Sequence, residues 1–358
     1  MPAMTVPPKE PALAVGVIGD GFMQPSYFVD ALNERLTGRA LAIETMALNW
    51  PIERNITKVD PDLPVQEFVG RPEQFYDFIG RAAILINHLA PVTRETFARA
   101  PKLKLIAVSR GGPINIDMAA ARDHGVRVVN TPGRNASAVA EFTIASMLAE
   151  TRNLIRGHVA LAAGDYRGDL YHRDITGPEL CELTVGVIGY GHVGTLVVRM
   201  LKGFGCRILV HDPYKQLSRA DQDDGVAMVD LDTLIAASDI VTLHPRVTRE
   251  TRGMIGAAQF AAMKRGAYFV NTARGPLVDY AALYEALTSG QLAGAALDTF
   301  EFEPPPADWP LLKLANVTLS PHIAGASRYT IRKAAVMIAE DVARFLAGEA
   351  LLNPCDGQ

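Results

Sequence analysis

Val185-Gly186-Val187-Ile188-Gly189-Tyr190-Gly191-His192-Val193-Gly194 is a short apolar run that breaks into G-x-G-x-x-G and continues into a second apolar segment. It reads as a buried β-strand, a glycine turn and a helix. Such a turn lets backbone approach a pyrophosphate while the N–H groups at the helix start point at it. Gly189, Tyr190, Gly191, His192, Val193 and Gly194 are therefore candidate cofactor-binding residues. The stretch lies near the middle of a 358-residue chain, so a long segment on either side needs its own account. A partial echo, Val15-Gly16-Val17-Ile18-Gly19-Asp20-Gly21, has Gln24 in place of the third glycine and an aspartate inside the turn. Only the central copy is equipped to hold an anion.

The strand after the turn, 207–211, ends at Asp212, about where a dinucleotide site carries the acid for the adenosine ribose. A carboxylate there accepts both ribose hydroxyls and repels a 2′-phosphate, so the expected cofactor is NAD rather than NADP. Lys215 and Arg219 nearby weaken that preference. The competing reading is a tight turn in a sheet that binds nothing.

Composition narrows the class. The chain is 49% hydrophobic and 21% charged, as expected of a globular enzyme with two cores. A net charge of −4 gives no electrostatic reason to expect nucleic acid or an anionic membrane as partner. Cys181, Cys206 and Cys355 are too scattered for a disulfide framework or a zinc site, so no metal is expected. No basic segment precedes an apolar run at the N-terminus, and no apolar stretch approaches the ~18 residues of a membrane span. The expected location is cytoplasmic, with residues 1–11, four of them proline, as a loose arm.

Strand-like runs alternate with helical stretches throughout, the pattern of parallel α/β sheets. The first set is 14–18, 40–46, 83–86, 103–108 and 126–129. The set after the central turn is 207–211, 226–229, 240–243, 268–271, 294–297 and 317–319. Between them, 137–163 reads as one long helix, and 328–348 as an amphipathic helix ended by Gly348. The fold expected is α/β with two Rossmann-like or flavodoxin-like parallel-sheet domains. A cofactor domain over 132–325 is inserted into a discontinuous substrate domain formed by 1–131 and 326–358.

Three polar outcrops follow strands of the second set, where open α/β sheets bind ligands. They are Asn271-Thr272-Ala273-Arg274-Gly275, the stretch from Asp298 to Glu303-Pro304, and Ser320-Pro321-His322-Ile323-Ala324-Gly325. Singly, Arg274 reads equally as a helix cap or phosphate ligand, Glu303 as a solvated loop acid and His322 as a satisfied core histidine. Jointly, an arginine, a carboxylate and a histidine beside a dinucleotide site are hard to explain as packing.

On these residues, with Asn130-Thr131-Pro132-Gly133, Leu243-His244 and Ala296-Leu297-Asp298, the chain resembles the D-isomer-specific 2-hydroxyacid dehydrogenases over nearly its whole length. The resemblance implies that Arg274, Glu303 and His322 are the catalytic trio, and that His244, Thr272, Ala273, Asp298 and His322 lie along the cofactor. It also implies a homodimer through the cofactor domain and the helix after Asn130-Thr131-Pro132-Gly133. The chemistry assigns roles: His322 exchanges the hydroxyl proton, Glu303 fixes its tautomer and raises its basicity, and Arg274 binds and polarises the substrate. The partner is then a small 2-hydroxy or 2-keto acid.

In the first half, Ser109-Arg110-Gly111-Gly112-Pro113 follows a strand, and two successive glycines can turn N–H groups toward an anion. The family resemblance makes this the loop for the substrate carboxylate. Arg110 is a candidate contact to a further substrate oxygen, with a surface or inter-domain salt bridge as its alternative. His88 and Arg134 are further candidates of the same kind, and Arg246 faces cofactor, substrate or water. Two alternatives stand beside the dehydrogenase reading: an NAD(H)-sensing, corepressor-like protein and a phosphite dehydrogenase, both sharing the trio. Formate enzymes of this resemblance carry glutamine where Glu303 stands, so the carboxylate argues against them.

Overall fold

The computed structural model describes residues 12–50 and 64–355. The expected arm at 1–11 lies outside the described residues. The chain forms two compact units, one from Met1–Arg134 with Ser327–Gln358, the other from Asn135–Ala326. Each is built on a wholly parallel sheet.

The first sheet comprises β1 (Leu13–Gly19), β2 (Leu41–Ala47), β3 (Ile84–Asn87), β4 (Leu105–Val108) and β5 (Arg127–Val129) in the order β2-β1-β3-β4-β5. β3 and β4 are buried at every position because helices cover both faces, which is why their sequences are apolar runs without alternation. The helix Arg328–Ala347 belongs to this unit. Its Ile331, Ala334, Ile338 and Val342 share a core with Val15, Val17, Ile84 and Ile86. Ser327 Oγ caps its start by accepting from the Thr330 N–H at 3.0 Å, and Gly348 ends it at φ 72°.

The second sheet comprises β6 (Thr184–Ile188), β7 (Arg207–His211), β8 (Ala227–Met228), β9 (Ile240–Leu243), β10 (Ala267–Asn271), β11 (Leu292–Leu297) and β12 (Val317–Leu319). Its order is β12-β11-β10-β9-β6-β7-β8. The long helix expected over 137–163 is instead two helices, Ala136–Thr151 and Leu154–Ala162. Asn153 breaks it, in the left-handed region at φ 53°. Its side-chain amide donates to the Ile175 carbonyl at 3.1 Å and its Oδ1 accepts from Arg156 at 2.5 Å, bonds that help hold this backbone reversal.

Register decides what meets at the sheet edges. In the second sheet Ile188 pairs with His211 and Leu243, Leu243 with Asn271, Asn271 with Leu297, and Leu297 with Leu319. The residues that follow this row are Gly189, Asp212, His244, Thr272, Asp298 and Ser320, so all emerge at one carboxyl edge. In the first sheet Ile18 pairs with Asn87 and Asn87 with Val108, which brings Gly19-Asp20, His88 and Ser109-Arg110 out together. Parallel pairing at one register thus gathers residues far apart in sequence.

Candidate active site

The central turn has the geometry its glycines predict. Gly189 sits at φ 92°, and a Cβ there would lie 2.8 Å from the His244 carbonyl carbon on the neighbouring strand's exit. A Cβ on Gly194 would lie 1.9 Å from the Gly189 carbonyl oxygen, so only glycine lets the helix His192–Lys202 pack this close to the turn. Around the Cβ position of Gly191, between them, there is open space, as an approaching phosphate requires. Tyr190 contributes backbone here. Its ring is buried and its hydroxyl donates to Asp221, which also accepts from Lys202 Nζ at 2.5 Å.

Asp212 ends β7 beside the turn. One carboxylate oxygen accepts the Tyr190 N–H at 2.7 Å and the other the Tyr214 N–H at 2.8 Å. Each retains lone-pair capacity for a ribose hydroxyl. His244 is half-buried at the β6/β9 crossover, where the sheet order reverses. Burial holds its imidazole down to about 3, so it is neutral at pH 7. Its Nε2 pairs with Thr242 Oγ1 at 3.1 Å, while its buried Nδ1 has no partner among the described residues. An orphaned buried nitrogen beside the turn suits a polar ligand. These residues fit a dinucleotide.

The trio lies on three loops of the same edge. Glu303 Oε2 meets His322 Nδ1 at 2.6 Å, and Glu303 Oε1 accepts the Phe300 N–H at 3.1 Å. Burial works to raise the Glu303 carboxyl, but the His322 hydrogen bond and charge, the Phe300 N–H and the Arg274 charge together hold it below its usual 4.5. Arg274 is exposed, with Nη1 on the Ala273 carbonyl at 2.8 Å. Its loop is shaped by Asn271, whose Oδ1 accepts the Ala273 N–H and whose amide donates to the Arg274 carbonyl. Thr272 is buried against Thr143 at 2.7 Å between hydroxyls.

His322 has φ 54°, a left-handed conformation that costs a non-glycine residue roughly 1–3 kcal/mol. Asp298 supplies what holds it there. This buried carboxylate accepts from Ser320 Oγ at 2.7 Å, the Ile323 N–H at 2.8 Å and the Ala324 N–H at 2.9 Å, bracketing the histidine on both sides. Sequence reasoning put Asp298 along the cofactor, and its part in building the His322 loop was not legible there.

The first unit presents its own polar edge. The Arg110 carbonyl accepts the Thr131 N–H at 2.8 Å and the Gly111 carbonyl accepts the Asn130 amide at 2.9 Å, which pins the Arg110-Gly111-Gly112 loop. The Arg110 guanidinium pairs with the Glu67 carboxylate and donates to the Glu67 carbonyl at 2.8 Å. His88 is buried, with Nδ1 2.5 Å from Asp20 Oδ2. Arg246 is exposed on the loop after β9, its carbonyl accepting from Thr251 Oγ1 at 2.6 Å. Among the described residues no cluster of histidine, cysteine or carboxylate side chains is arranged to hold a metal ion.

Comparison with known proteins decides the family. Residues 144–324 match the model for the D-isomer specific 2-hydroxyacid dehydrogenase, NAD binding domain. The chain is 40% identical over 292 residues to D-3-phosphoglycerate dehydrogenase of Archaeoglobus fulgidus, covering 82% of this chain and 54% of that one. It is 41% identical over 259 residues to glyoxylate reductase of Korarchaeum cryptofilum, covering 72% and 78%. The chain belongs to the D-isomer specific 2-hydroxyacid dehydrogenase family. The apo structure of D-lactate dehydrogenase from Escherichia coli has the same fold, with TM-score 0.74 and 26% identity over 96% of this chain and all of that one. The match spans about half the length of the phosphoglycerate dehydrogenase. In this family member, sequence reasoning missed Asp20 and the loop-pinning Asn130 and Thr131. The signal for Asp20 was an acid directly after the first strand with a histidine directly after the third.

Proposed function

We propose that this chain is an NAD-dependent dehydrogenase of D-2-hydroxy acids, working reversibly on the corresponding 2-keto acids. The observation that carries the reading is the 2.6 Å contact between His322 and Glu303 at the carboxyl edge that also holds the glycine turn. When bound, the nicotinamide supplies or accepts the hydride. Everything else falls to the chain's own groups. Glu303 is an anion at neutral pH and accepts from Nδ1–H, so His322 presents Nε2 to the substrate oxygen. There it takes the hydroxyl proton in oxidation and, as imidazolium, returns one to the forming alkoxide in reduction. Arg274 offers a planar fork to the substrate carboxylate and carbonyl. In the first unit Gly111 and Gly112 offer backbone N–H groups to a carboxylate, with Arg110 anchoring their loop.

Asp212 makes the cofactor NAD, because a second anion on the ribose would face its carboxylate. The chain acts as a homodimer through the second unit. The helix Leu154–Ala162 buries none of its residues and leaves Leu154 and Val159 more than half exposed. A monomer by light scattering would refute that part. No helix among the described residues is long and apolar enough to cross a membrane.

The decisive experiment follows NADH absorbance with glyoxylate, pyruvate, hydroxypyruvate and phosphohydroxypyruvate. Oxidation with at least one, lost by about 10²–10⁴-fold in His322→Asn while NADH still binds, is expected. Tight NADH binding with no turnover on the whole panel would overturn the enzyme reading.

A further inference from the structure

The first sheet reverses its order between β1 and β3, and at such a crossover open α/β sheets form ligand crevices. Asp20 follows β1 and His88 follows β3, so the buried pair sits at this point. Asp20 Oδ1 accepts the Phe22 and Met23 N–H groups, each at 2.9 Å, and Oδ2 meets His88 Nδ1. Burial pushes the His88 imidazole down to about 4 against the pull of Asp20, with the Arg134 and Arg110 charges adding to the drop. The ring is therefore neutral, with its proton on Nδ1 toward Asp20. Nε2 makes no hydrogen bond among the described residues and is left as an acceptor.

Arg134 is the second half of the pattern. Among the described residues no carboxylate lies within ion-pair distance of it, and its side-chain contact is Nη1 to the Met23 sulfur at 3.9 Å. Its charge acts on His88, and the Asp20 charge acts on it. Arg110 differs, being neutralised by Glu67. Phe22, 6.2 Å from the His88 ring and 6.1 Å from the Trp50 ring, gives the place an apolar wall. A cation with no carboxylate within ion-pair distance, beside a neutral lone pair, suits a ligand with an oxyanion and a hydroxyl donor.

We propose that Asp20, His88 and Arg134 form a specificity subsite of the first unit for a hydroxylated 2-keto acid, with Arg134 adding its charge to the Gly111 and Gly112 N–H groups on the substrate carboxylate and a substrate hydroxyl donating to His88 Nε2. Asp20 is the positioning residue that fixes the His88 tautomer. An acid with no hydroxyl leaves Nε2 unpaired, and one carrying phosphate in place of the hydroxyl sets a second acceptor against it. Discrimination follows from the unpaired buried group rather than from size. The inference rests on the dehydrogenase reading above.

The test compares kcat/KM for hydroxypyruvate and pyruvate, which differ by one hydroxyl, in the full chain. The wild type should prefer hydroxypyruvate by at least about tenfold. His88→Leu should bring the ratio close to one, chiefly by losing hydroxypyruvate, and Arg134→Met should raise KM for both acids more than it lowers kcat. Asp20→Asn keeps its two backbone acceptor bonds but reverses the His88 tautomer. It should raise the rate with phosphohydroxypyruvate relative to hydroxypyruvate. A second readout needs no turnover: D-glycerate should raise the melting temperature of the wild type more than D-lactate does, and His88→Leu should erase the difference. Equal use of hydroxypyruvate and pyruvate, a wild-type preference for phosphohydroxypyruvate, or a His88→Leu variant that melts lower with its ratio intact would overturn the subsite. Absence of NADH oxidation with every keto acid would instead sink the dehydrogenase reading, and the melting comparison would still judge the subsite.

Discussion

Glu303→Gln isolates what a carboxylate does for His322. Glutamine keeps the shape of the side chain, and its Oε1 can still accept the Phe300 N–H, so the loop has no reason to move. What is lost is a full negative charge 2.6 Å from the imidazole, and the amide that replaces it donates to Nδ1 and so opposes the imidazolium further. A hydrogen bond to a charged group contributes about 1.5–3 kcal/mol. The histidine side chain is 38% exposed and the glutamate 20%, so solvent screening favours the low end. About 1.4 kcal/mol is one pH unit and a factor of ten in rate. Keto-acid reduction needs the protonated imidazole, so kcat/KM near neutral pH should fall about tenfold or more. The limb of its pH profile should move about one unit toward acid, and the variant should recover part of its rate there. The sign in the wild type runs the other way for Glu303 itself. Its carboxyl is held below its usual 4.5, so its stabilisation is complete above that value and lost as pH falls through the depressed one. Stopped-flow or steady-state NADH absorbance from about pH 5 to about pH 9 reads the rate loss and the displaced limb. A rate loss with an unmoved profile would show that Glu303 only shapes the loop, and no loss at all would remove it from the mechanism.

Two further outcomes follow from the cofactor half. Gly194→Ala places a carbon 1.9 Å from the Gly189 carbonyl, so helix and turn must separate. Destabilisation of about 1–3 kcal/mol, a melting point lower by several degrees and at least about tenfold weaker NADH binding by fluorescence titration are expected. Unchanged melting and binding would mean the turn does not hold the dinucleotide. Asp212→Ser removes the charge that opposes a 2′-phosphate, so the ratio of kcat/KM for NADPH over NADH should rise about tenfold or more. A ratio that stays put would assign cofactor choice elsewhere.

The sequence by itself determined the central turn, Asp212, the strand-end outcrops and the terminal helix, because each rests on short-range chemistry. A positive φ, a strand's apolar run and a cap are properties of neighbouring residues. The helix break at Asn153 escaped it, since no glycine or proline marks the spot and the reversal is held partly by a bond to Ile175, far along the chain. Asp298 and Asp20 show the larger limit. As letters, one sat on the cofactor edge and the other was a flaw in an incomplete glycine motif. Only sheet order and register put the first beneath the His322 loop and the second against His88, 68 residues away. Side-chain duties of this kind are set by which strands become neighbours, and that is decided by the packing of whole units, not by any local stretch.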